Sequence, residues 1–257
     1  MGKVIAIANQ KGGVGKTTTC VNLASSLAAT HRKILVIDLD PQGNATMASG
    51  VDKYNVEATA YDLLVDEMPF DQVVNKNTTG NYDLIASNAD VTAAEVKMME
   101  FFAREVRLRN AIAPVRNEYD FIFIDCPPTL NLLTINAMAA ADSVLVPMQC
   151  EYFALEGLTA LMDTINKLAA VVNADLHIEG VLRTMFDSRN RLSNEVSEQL
   201  KTHFGKKVYR TVIPRNIRLA EAPSHGQPAM YYDKTSSGAK AYLALAGEII
   251  RRSEMQK

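Results

Sequence analysis

The sequence predicts an α/β fold, in which a single doubly wound domain spanning residues 1–257 is built around a mostly parallel sheet. Two observations lead to this prediction. Short apolar segments alternate along the chain with longer helical stretches, and a strand that is apolar at every position is typical of a sheet covered on both faces. In addition, no repeat, low-complexity segment or Pro/Gly-rich linker divides the chain.

The predicted strands are Lys3–Ala8, Ile34–Ile37, the weaker Tyr82–Ser87, Phe121–Ile124, Ser143–Met148, Ile178–Met185 and Val208–Ile213. The predicted helices are Thr17–Thr30, Leu155–Val172, Ser193–His203 and Gly238–Arg252. Thr92 and Glu95 have the spacing of a capping box, which predicts a further long helix that continues to about Arg116. Segment 43–81 is the least regular part and is expected at the periphery.

Composition excludes several classes of protein. The net charge of −2 creates no global field toward nucleic acid or membrane, so any such surface must be local. Three scattered cysteines, Cys20, Cys126 and Cys150, contain no C-x-x-C pair and fit buried thiols in a reducing cytoplasm. No run of 18 apolar residues is present, so no membrane-spanning segment is expected.

The segment NQKGGVGKTT, residues 9–18, follows the first predicted strand and opens the first predicted helix. It resembles the phosphate-binding pattern G-x-x-x-x-G-K-[ST], but Gln10 replaces the leading glycine and Lys11 follows it. Glycines allow backbone N–H groups to surround a phosphate, and the helix N-terminus adds partial positive charge. The predicted nucleotide-binding residues of the loop are therefore Gly12, Gly13, Val14, Gly15, Lys16, Thr17 and Thr18.

Carboxylates follow two of the predicted strands. ILVID ends in Asp38, with Asp40 two residues later, and FIFID ends in Asp125. Ligands of open α/β sheets bind at the carboxyl ends of the strands, and Mg²⁺ prefers oxygen ligands. We therefore expect Asp38 and Asp125 to lie beside Thr17, whose hydroxyl is the expected Mg²⁺ ligand of the loop.

Together, the motifs KGGVGKTT, DLDPQGN and FIDCPP resemble those of the deviant Walker-A P-loop ATPases. Within that group the chain is most similar to the ParA/Soj chromosome-partitioning ATPases, nearly from end to end, and the similarity includes EYFALEGL at 151–158 and VIPRNIRLAEAPSHGQP at 212–228. The resemblance implies an ATPase that binds ATP and Mg²⁺, has weak activity alone, and forms a homodimer in its ATP state.

The resemblance also implies roles for individual residues. Lys11 crosses the dimer interface to the phosphates of the other subunit, where a cation stabilises the transferred phosphoryl group. Lys16 binds the β- and γ-phosphates, and Asp40 positions or activates the attacking water. Lys11, Lys16 and Asp40 are thus the expected catalytic residues, and Pro214 is expected to pack against the adenine.

A local basic excess lies between residues 199 and 220, which contain six Lys or Arg and no Asp or Glu. Charge alone fits a solvated surface equally well. The resemblance to ParA/Soj proteins implies nonspecific binding of double-stranded DNA, with Arg189 and Arg218 at matching positions. The predicted DNA-binding residues are Arg189, Lys206, Lys207, Arg215 and Arg218. The resemblance further implies a nucleoid-associated protein whose hydrolysis is stimulated by a ParB-type centromere-binding partner.

Two alternatives remain open from the sequence. A MinD-like membrane-cycling ATPase needs a C-terminal amphipathic helix, and the tail LALAGEIIRRSEMQK has that pattern; packing of this helix on the core, with no membrane partner, is the expectation. A P-loop metabolic enzyme or iron–sulfur reductase is the other, although Cys126 and Cys150 lack the cluster-ligating pattern. Because the first strand begins at Lys3, no N-terminal helix-turn-helix, and hence no operator binding, is expected.

Overall fold

The computed structural model describes residues 2–255, and the eight strands in this range form one sheet. The strands are β1 (Lys3–Ile7), β2 (Ile34–Asp38), β3 (Val74–Asn75), β4 (Asp83–Ile85), β5 (Phe121–Asp125), β6 (Ser143–Gln149), β7 (His177–Phe186) and β8 (Val208–Pro214). Their spatial order is β3-β4-β2-β5-β1-β6-β7-β8. Every neighbouring pair is parallel except β3 and β4. The mostly parallel sheet is therefore confirmed.

Twelve α-helices connect or flank these strands within residues 2–255. They are α1 (Lys16–Ala28), α2 (Asn44–Ala48), α3 (Ala60–Leu64), α4 (Phe70–Val73), α5 (Val91–Met98), α6 (Arg107–Ile112), α7 (Leu132–Ala140), α8 (Ala154–Val171), α9 (Arg191–Phe204), α10 (Ile217–Glu221), α11 (Ala229–Tyr232) and α12 (Ser237–Met255).

The sheet is buried on both faces. Along β1, Val4 and Ala6 belong to one apolar core, and Ile5 and Ile7 belong to the other. The first core is covered by α3 and α5–α9, and the second by α1 and α10–α12. Because successive side chains of a strand point to opposite faces, strands between two helical layers must be apolar at every position. The predicted doubly wound arrangement follows from this pattern.

The position of β1 decides where a ligand can bind. β1 lies in the interior of the sheet, and the chain moves from it first to one side, toward β2, and later to the other, toward β6. The loop after β1 therefore opens where the strand order reverses, which is where open α/β sheets leave a crevice at the carboxyl ends of their strands.

The predicted long helix from Thr92 to about Arg116 is wrong. α5 ends at Met98, Ala103 has a left-handed φ of 52°, and α6 begins only at Arg107. A non-glycine residue in the left-handed region interrupts the helical hydrogen-bond pattern. The chain therefore turns here and forms two short helices instead of one.

The expected capping box at Thr92 and Glu95 is also absent. α5 begins at Val91 without a side-chain cap, and the Glu95 carboxylate instead accepts a hydrogen bond from Asn131 Nδ2 at 3.0 Å. A capping box does occur at α3, where Thr59 and Asp62 exchange hydrogen bonds. Spacing alone did not distinguish the two, since a tertiary contact competes for the same carboxylate.

Two further features were not predicted. α7 packs Leu133 and Ala137 into the first core, and the irregular segment 43–81 contributes α2, α3, α4 and the edge strand β3. The last helix packs as expected, since Leu245 and Ile249 of α12 are fully buried in the second core. No helix within residues 2–255 is long and apolar enough to cross a membrane.

Candidate functional site

The loop between β1 and α1 has the backbone of a phosphate cradle. Gly13 and Gly15 have φ values of 72° and 87°, a region that L-residues rarely adopt and glycine occupies without a Cβ clash. Gly15 is the N-cap of α1 and provides no side-chain hydrogen bond to the helix. The first N–H groups of this 13-residue helix are therefore available to an anion, and the helix dipole favours negative charge at the same place.

Lys16 lies inside this cradle. The residue is only 7% exposed, and its Nζ donates to the carbonyl oxygen of Lys11 at 3.4 Å. Burial lowers the pKa of its ammonium group, while the charges of Asp125 and Asp40 oppose that shift. A buried ammonium group in a cradle of N–H donors fits an anionic ligand, which would replace the lost hydration.

The second part of the site joins α1 to β5. The Thr17 hydroxyl donates to Asp125 Oδ2 at 2.7 Å, although 108 residues separate them. The other oxygen, Asp125 Oδ1, is buried and has no hydrogen-bond partner among the described residues. Burial, followed by the neighbouring charge of Asp38, raises the pKa of Asp125 well above its usual range. An unsatisfied buried carboxylate oxygen beside a threonine hydroxyl fits a divalent cation, so these residues suit Mg²⁺.

Asp38 faces Asp125 in the register of β2 and β5 and connects the site to α2. Its carboxylate accepts hydrogen bonds from the backbone N–H of Asp40 at 3.1 Å and from both the N–H and the hydroxyl of Thr46 at 2.8 Å. Burial raises the pKa of Asp38 to about 7, and these hydrogen bonds oppose the shift. Asp38 therefore holds the Asp40 backbone and α2 in place, and after three accepted hydrogen bonds one lone pair on Oδ1 is left for a cation shell.

Asp40 is held by the loop that it begins. Its Oδ1 accepts a hydrogen bond from the Gln42 N–H at 3.0 Å, and its carbonyl accepts one from the Ser87 hydroxyl at 2.8 Å. Sequence reasoning assigned no role to Thr46 or Ser87. A usable signal existed for Ser87, which follows β4 at the same carboxyl edge of the sheet as the two acidic residues.

Lys11 is directed away from its own phosphate cradle. Its N–H donates to Asn9 Oδ1 at 3.0 Å, and its Nζ forms an ion pair with the Glu151 carboxylate. Both side chains of the pair are about half exposed. Lys11 is thus the one loop cation that the described chain does not place at its own phosphates. Pro214 ends β8 at the same edge of the sheet, in register with Phe186 of β7.

The three predicted DNA-binding arginines follow the carboxyl ends of β7 and β8. Arg189 follows β7 and forms an ion pair with Asp187 at 2.9 Å; its hydrogen bonds lower the pKa of Asp187 to about 2, and the charge of Arg215 adds to the effect. Arg218, on α10, pairs with Glu221 at 2.7 Å and with Asp233 at 3.3 Å. Arg189 and Arg218 therefore each have a carboxylate partner in the isolated chain.

The structure does not bring all five predicted basic residues together. Lys206 and Lys207 immediately precede β8, whereas Arg215 and Arg218 follow it. At about 3.3 Å per residue, this seven-residue strand separates the two groups by roughly 20 Å. The basic stretch that is continuous in sequence is therefore two separate surfaces.

Comparison with known proteins shows the family. A family model described as an AAA domain matches residues 2–178. The chain is 52% identical to the sporulation initiation inhibitor protein Soj of Bacillus subtilis over 249 residues, covering 97% of this chain and 98% of that protein. It is 48% identical to the chromosome partitioning protein ParA of Caulobacter vibrioides, covering 97% and 94% of the two chains.

Among solved structures, the crystal structure of cobyrinic acid a,c-diamide synthase from Mycobacterium smegmatis with bound ADP and magnesium has a TM-score of 0.87 at 32% identity, covering 100% of this chain and 97% of that one. This chain is therefore less similar in sequence to the synthase, at 32% identity, than to Soj, at 52%. The chain has the P-loop and the carboxylates at the ends of β2 and β5, and it is similar to Soj and ParA from end to end. It therefore belongs to the ParA/Soj family of chromosome-partitioning ATPases.

Proposed function

We propose that this protein is a partition ATPase that ATP switches between a DNA-binding dimer and a DNA-free form. ATP and Mg²⁺ close a homodimer, and the dimer binds nonspecific double-stranded DNA of the nucleoid. A ParB-type protein stimulates the otherwise weak hydrolysis, after which the dimer opens and leaves the DNA. Membership of the family and the nucleotide site described above support this proposal.

The residues of the site divide the chemistry among them. The N–H groups of the loop and the Lys16 ammonium hold the β- and γ-phosphates, and Thr17 with Asp125 would hold Mg²⁺. When bound, Mg²⁺ supplies positive charge that stabilises the phosphoryl oxygens. Asp40, fixed by Gln42 and Ser87, orients the attacking water.

Lys11 makes the reaction depend on dimerisation. In the isolated chain its ammonium group is paired with Glu151 and not with its own phosphate loop. Supplied across the interface to the partner's phosphates, it would stabilise the developing charge in trans, as an arginine finger does. When the dimer closes, Lys11 therefore leaves Glu151 and takes phosphate as its partner.

The single observation that carries the switch is a continuous set of contacts from the nucleotide site to Arg218. Asp38 binds Thr46 of α2, and the chain leaves α2 through Gly50. A Cβ built on Gly226 would lie 3.0 Å from the Cα of Gly50, so the two backbones are in close contact. Segment 222–226 in turn continues directly from α10, which carries Arg218. These contacts support the proposal that a nucleotide-dependent movement at Asp38 would reach Arg218.

The carboxylates beside the arginines set the strength of DNA binding. A phosphate must replace Asp187 at Arg189, and Glu221 and Asp233 at Arg218. Because each phosphate displaces a carboxylate, a single exchange is weakly favourable, and a monomer should bind DNA poorly. A dimer joins two such faces and raises affinity through effective concentration. Lys206 and Lys207 would contact DNA separately, about one strand length away.

The membrane-cycling alternative would need apolar residues of α12 to be available to lipid. Leu245 and Ile249 are instead buried against the second core, and releasing them would expose that core to water. This packing favours DNA over a membrane as the cycling surface.

Fluorescence anisotropy on two duplexes of unrelated sequence tests the proposed function. Binding with ATP, or with a slowly hydrolysed analogue, should be much tighter than with ADP and nearly equal for the two duplexes. Equal affinity with ATP and ADP, or binding to anionic vesicles in place of DNA, would contradict the proposal. Adding a candidate ParB should raise the rate of ATP hydrolysis and shorten the residence time on DNA.

A further inference from the structure

The outer side of the phosphate loop is held by two side chains that lie far from it in sequence. Gln149 Nε2, at the end of β6, donates to the carbonyl oxygen of Gly13 at 3.1 Å. The hydroxyl of Thr184, in β7, donates to the carbonyl oxygen of Val14 at 2.7 Å. They are separated from their loop partners by 136 and 170 residues, respectively. Neither belongs to the phosphate-binding motif.

These two bonds determine the direction of two N–H groups. In a planar trans peptide the N–H points opposite to the C=O of the same unit. Holding the carbonyl of Gly13 from outside therefore turns the N–H of Val14 inward, and holding the carbonyl of Val14 turns the N–H of Gly15 inward. Inward N–H groups are what a phosphate cradle needs. Gly13 and Gly15 both occupy the left-handed region, and glycine adopts other backbone conformations about as readily. The backbone alone therefore does not fix this orientation.

The surroundings show that this outer support is built into the sheet. Gln149 and Thr184 are directly paired in the register of β6 and β7, and Thr184 is 2% exposed. The next residue, Met185, has a left-handed φ of 49°, and its Sδ accepts a second hydrogen bond from Gln149 Nε2 at 2.9 Å. A non-glycine residue in this conformation is strained, and such strain persists only where the surrounding structure imposes it.

We propose that Gln149 and Thr184 are positioning residues that preset the phosphate-binding N–H groups of the loop before nucleotide arrives. Without these two side chains the peptide units Gly13–Val14 and Val14–Gly15 can rotate, and nucleotide binding must first order both units. Loss of one such hydrogen bond typically changes an equilibrium about fivefold. We therefore expect Thr184→Val and Gln149→Met each to weaken ADP binding by about fivefold, with the step of phosphoryl transfer little changed.

The test is a titration of fluorescent ADP with Mg²⁺, together with the melting temperature of the nucleotide-free protein. Thr184→Ser keeps the hydroxyl and should restore wild-type affinity. Thr78→Val is the matched control, because it removes a buried hydroxyl that donates to the carbonyl of Tyr82 at 2.8 Å, away from the loop. It should change stability and leave the Kd for ADP unchanged. In steady-state hydrolysis, Thr184→Val and Gln149→Met should each raise KM more than they lower kcat.

This inference rests on nucleotide binding at the loop, and the wild-type titration separates the two. Failure of the wild-type protein to bind ADP would overturn the proposed function. Wild-type affinity in both Thr184→Val and Gln149→Met would overturn the positioning role and leave the proposed function intact. Because Gln149 is only partly buried and Met is of similar volume, that variant tests the idea even where Thr184→Val fails to fold.

Discussion

At the scale of single residues, the two lysines of the loop differ in where their charges lie. Lys16 is buried within the cradle and reaches the Lys11 carbonyl, whereas the Lys11 ammonium is exposed and paired with Glu151. Under the proposed function, Lys16 would bind the phosphates of its own subunit. Lys11 would leave Glu151 and bind the phosphates of the partner subunit.

Replacement of Lys11 by alanine should separate binding from assembly. Lys11→Ala keeps the cradle and Lys16, so ATP should still bind, but ATP-dependent dimerisation and hydrolysis should be lost. Lys16→Ala should lose nucleotide binding itself, because the phosphates lose their main cationic partner. Analytical ultracentrifugation with ATP measures the first effect. Normal ATP-dependent dimers of Lys11→Ala would contradict the role of this lysine across the interface.

Replacement of Glu151 by glutamine should affect ATP-dependent dimerisation in the opposite direction to Lys11→Ala. If the Lys11–Glu151 pair holds the lysine in the monomer, Glu151→Gln should strengthen ATP-dependent dimerisation. The pair is about half exposed, so its contribution is at most about 1 kcal/mol and the change at most about fivefold. Concentration-dependent sedimentation measures this change. A weaker dimer would indicate that Glu151 itself contributes to the interface.

Acidic pH should stabilise the folded protein in the absence of metal. The folded Asp38 keeps its proton to about pH 7, whereas an unfolded carboxyl loses it near pH 4. Between these values the folded state binds more protons, so the free energy of unfolding should fall as pH rises. Asp125 acts in the same direction. Melting temperatures between pH 4 and 8 in EDTA measure the slope, which Mg²⁺ with ADP should reduce. A flat profile in EDTA would contradict it.

At the scale of elements, α2 depends on its neighbours. A five-residue helix is not stable alone, and its N-terminal side is held by the bonds from Thr46 to Asp38. The Thr46 hydroxyl also accepts a hydrogen bond from the Ser87 N–H at 2.8 Å. Thr46 therefore ties α2, the element that links the nucleotide site to Gly226 and α10, to both Asp38 and Ser87.

Thr46→Val should loosen this link without removing a phosphate contact. The change leaves the buried Ser87 N–H unpaired and removes one bond to Asp38, at a cost of about 1–3 kcal/mol. We expect the ratio of DNA affinities with ATP and ADP to fall at least about fivefold, with ADP binding nearly retained. Thr164→Val, which removes a hydroxyl bond within α8, is the control. An unchanged ratio in Thr46→Val would place the switch elsewhere.

At the scale of the whole molecule, the proposed function requires DNA binding that is local and additive. The net charge of −2 gives no general attraction to polyanions, and Arg218 and Arg189 are each balanced by nearby carboxylates. Affinity then depends on how many phosphates displace those carboxylates at once. Doubling the face in a dimer is the simplest way to reach useful affinity.

Arg218→Glu should abolish DNA binding while ATP binding and dimerisation remain. Wild-type affinity should fall steeply with salt, and each lost phosphate contact should flatten the log–log slope by about 0.9. Lys97→Glu on α5 makes the same change in net charge on the opposite layer and should have little effect. Anisotropy over a salt series compares them. Equal affinity of Arg218→Glu and wild type with ATP would exclude this face.

Two kinds of feature could be predicted from the sequence: motifs whose residues are local in the chain, and residues that the parallel sheet brings to one edge. The loop from Lys11 to Thr18 could be assigned because its glycines, lysine and threonine act within a few residues of one another. The contact between Thr17 and Asp125 crosses 108 residues, yet it followed from the rule that parallel strands end at one edge. The break of the predicted helix at Ala103 could not be predicted in this way, because Asn136 of α7 bonds to the backbone of Arg104 and Leu108 and holds the turn from outside the segment.

The sequence by itself determined the fold class, the phosphate loop and the carboxylates around it, because periodicity and motif spacing encode them directly. Only the tertiary structure decided which further side chains contact the site: Glu151 at Lys11, Thr46 at Asp38, and Gln149 with Thr184 behind the loop. It also divided the basic stretch into two surfaces. The physical reason is that hydrogen bonds and ion pairs depend on distance in space, and residues adjacent in a parallel sheet are separated in the chain by whole helices.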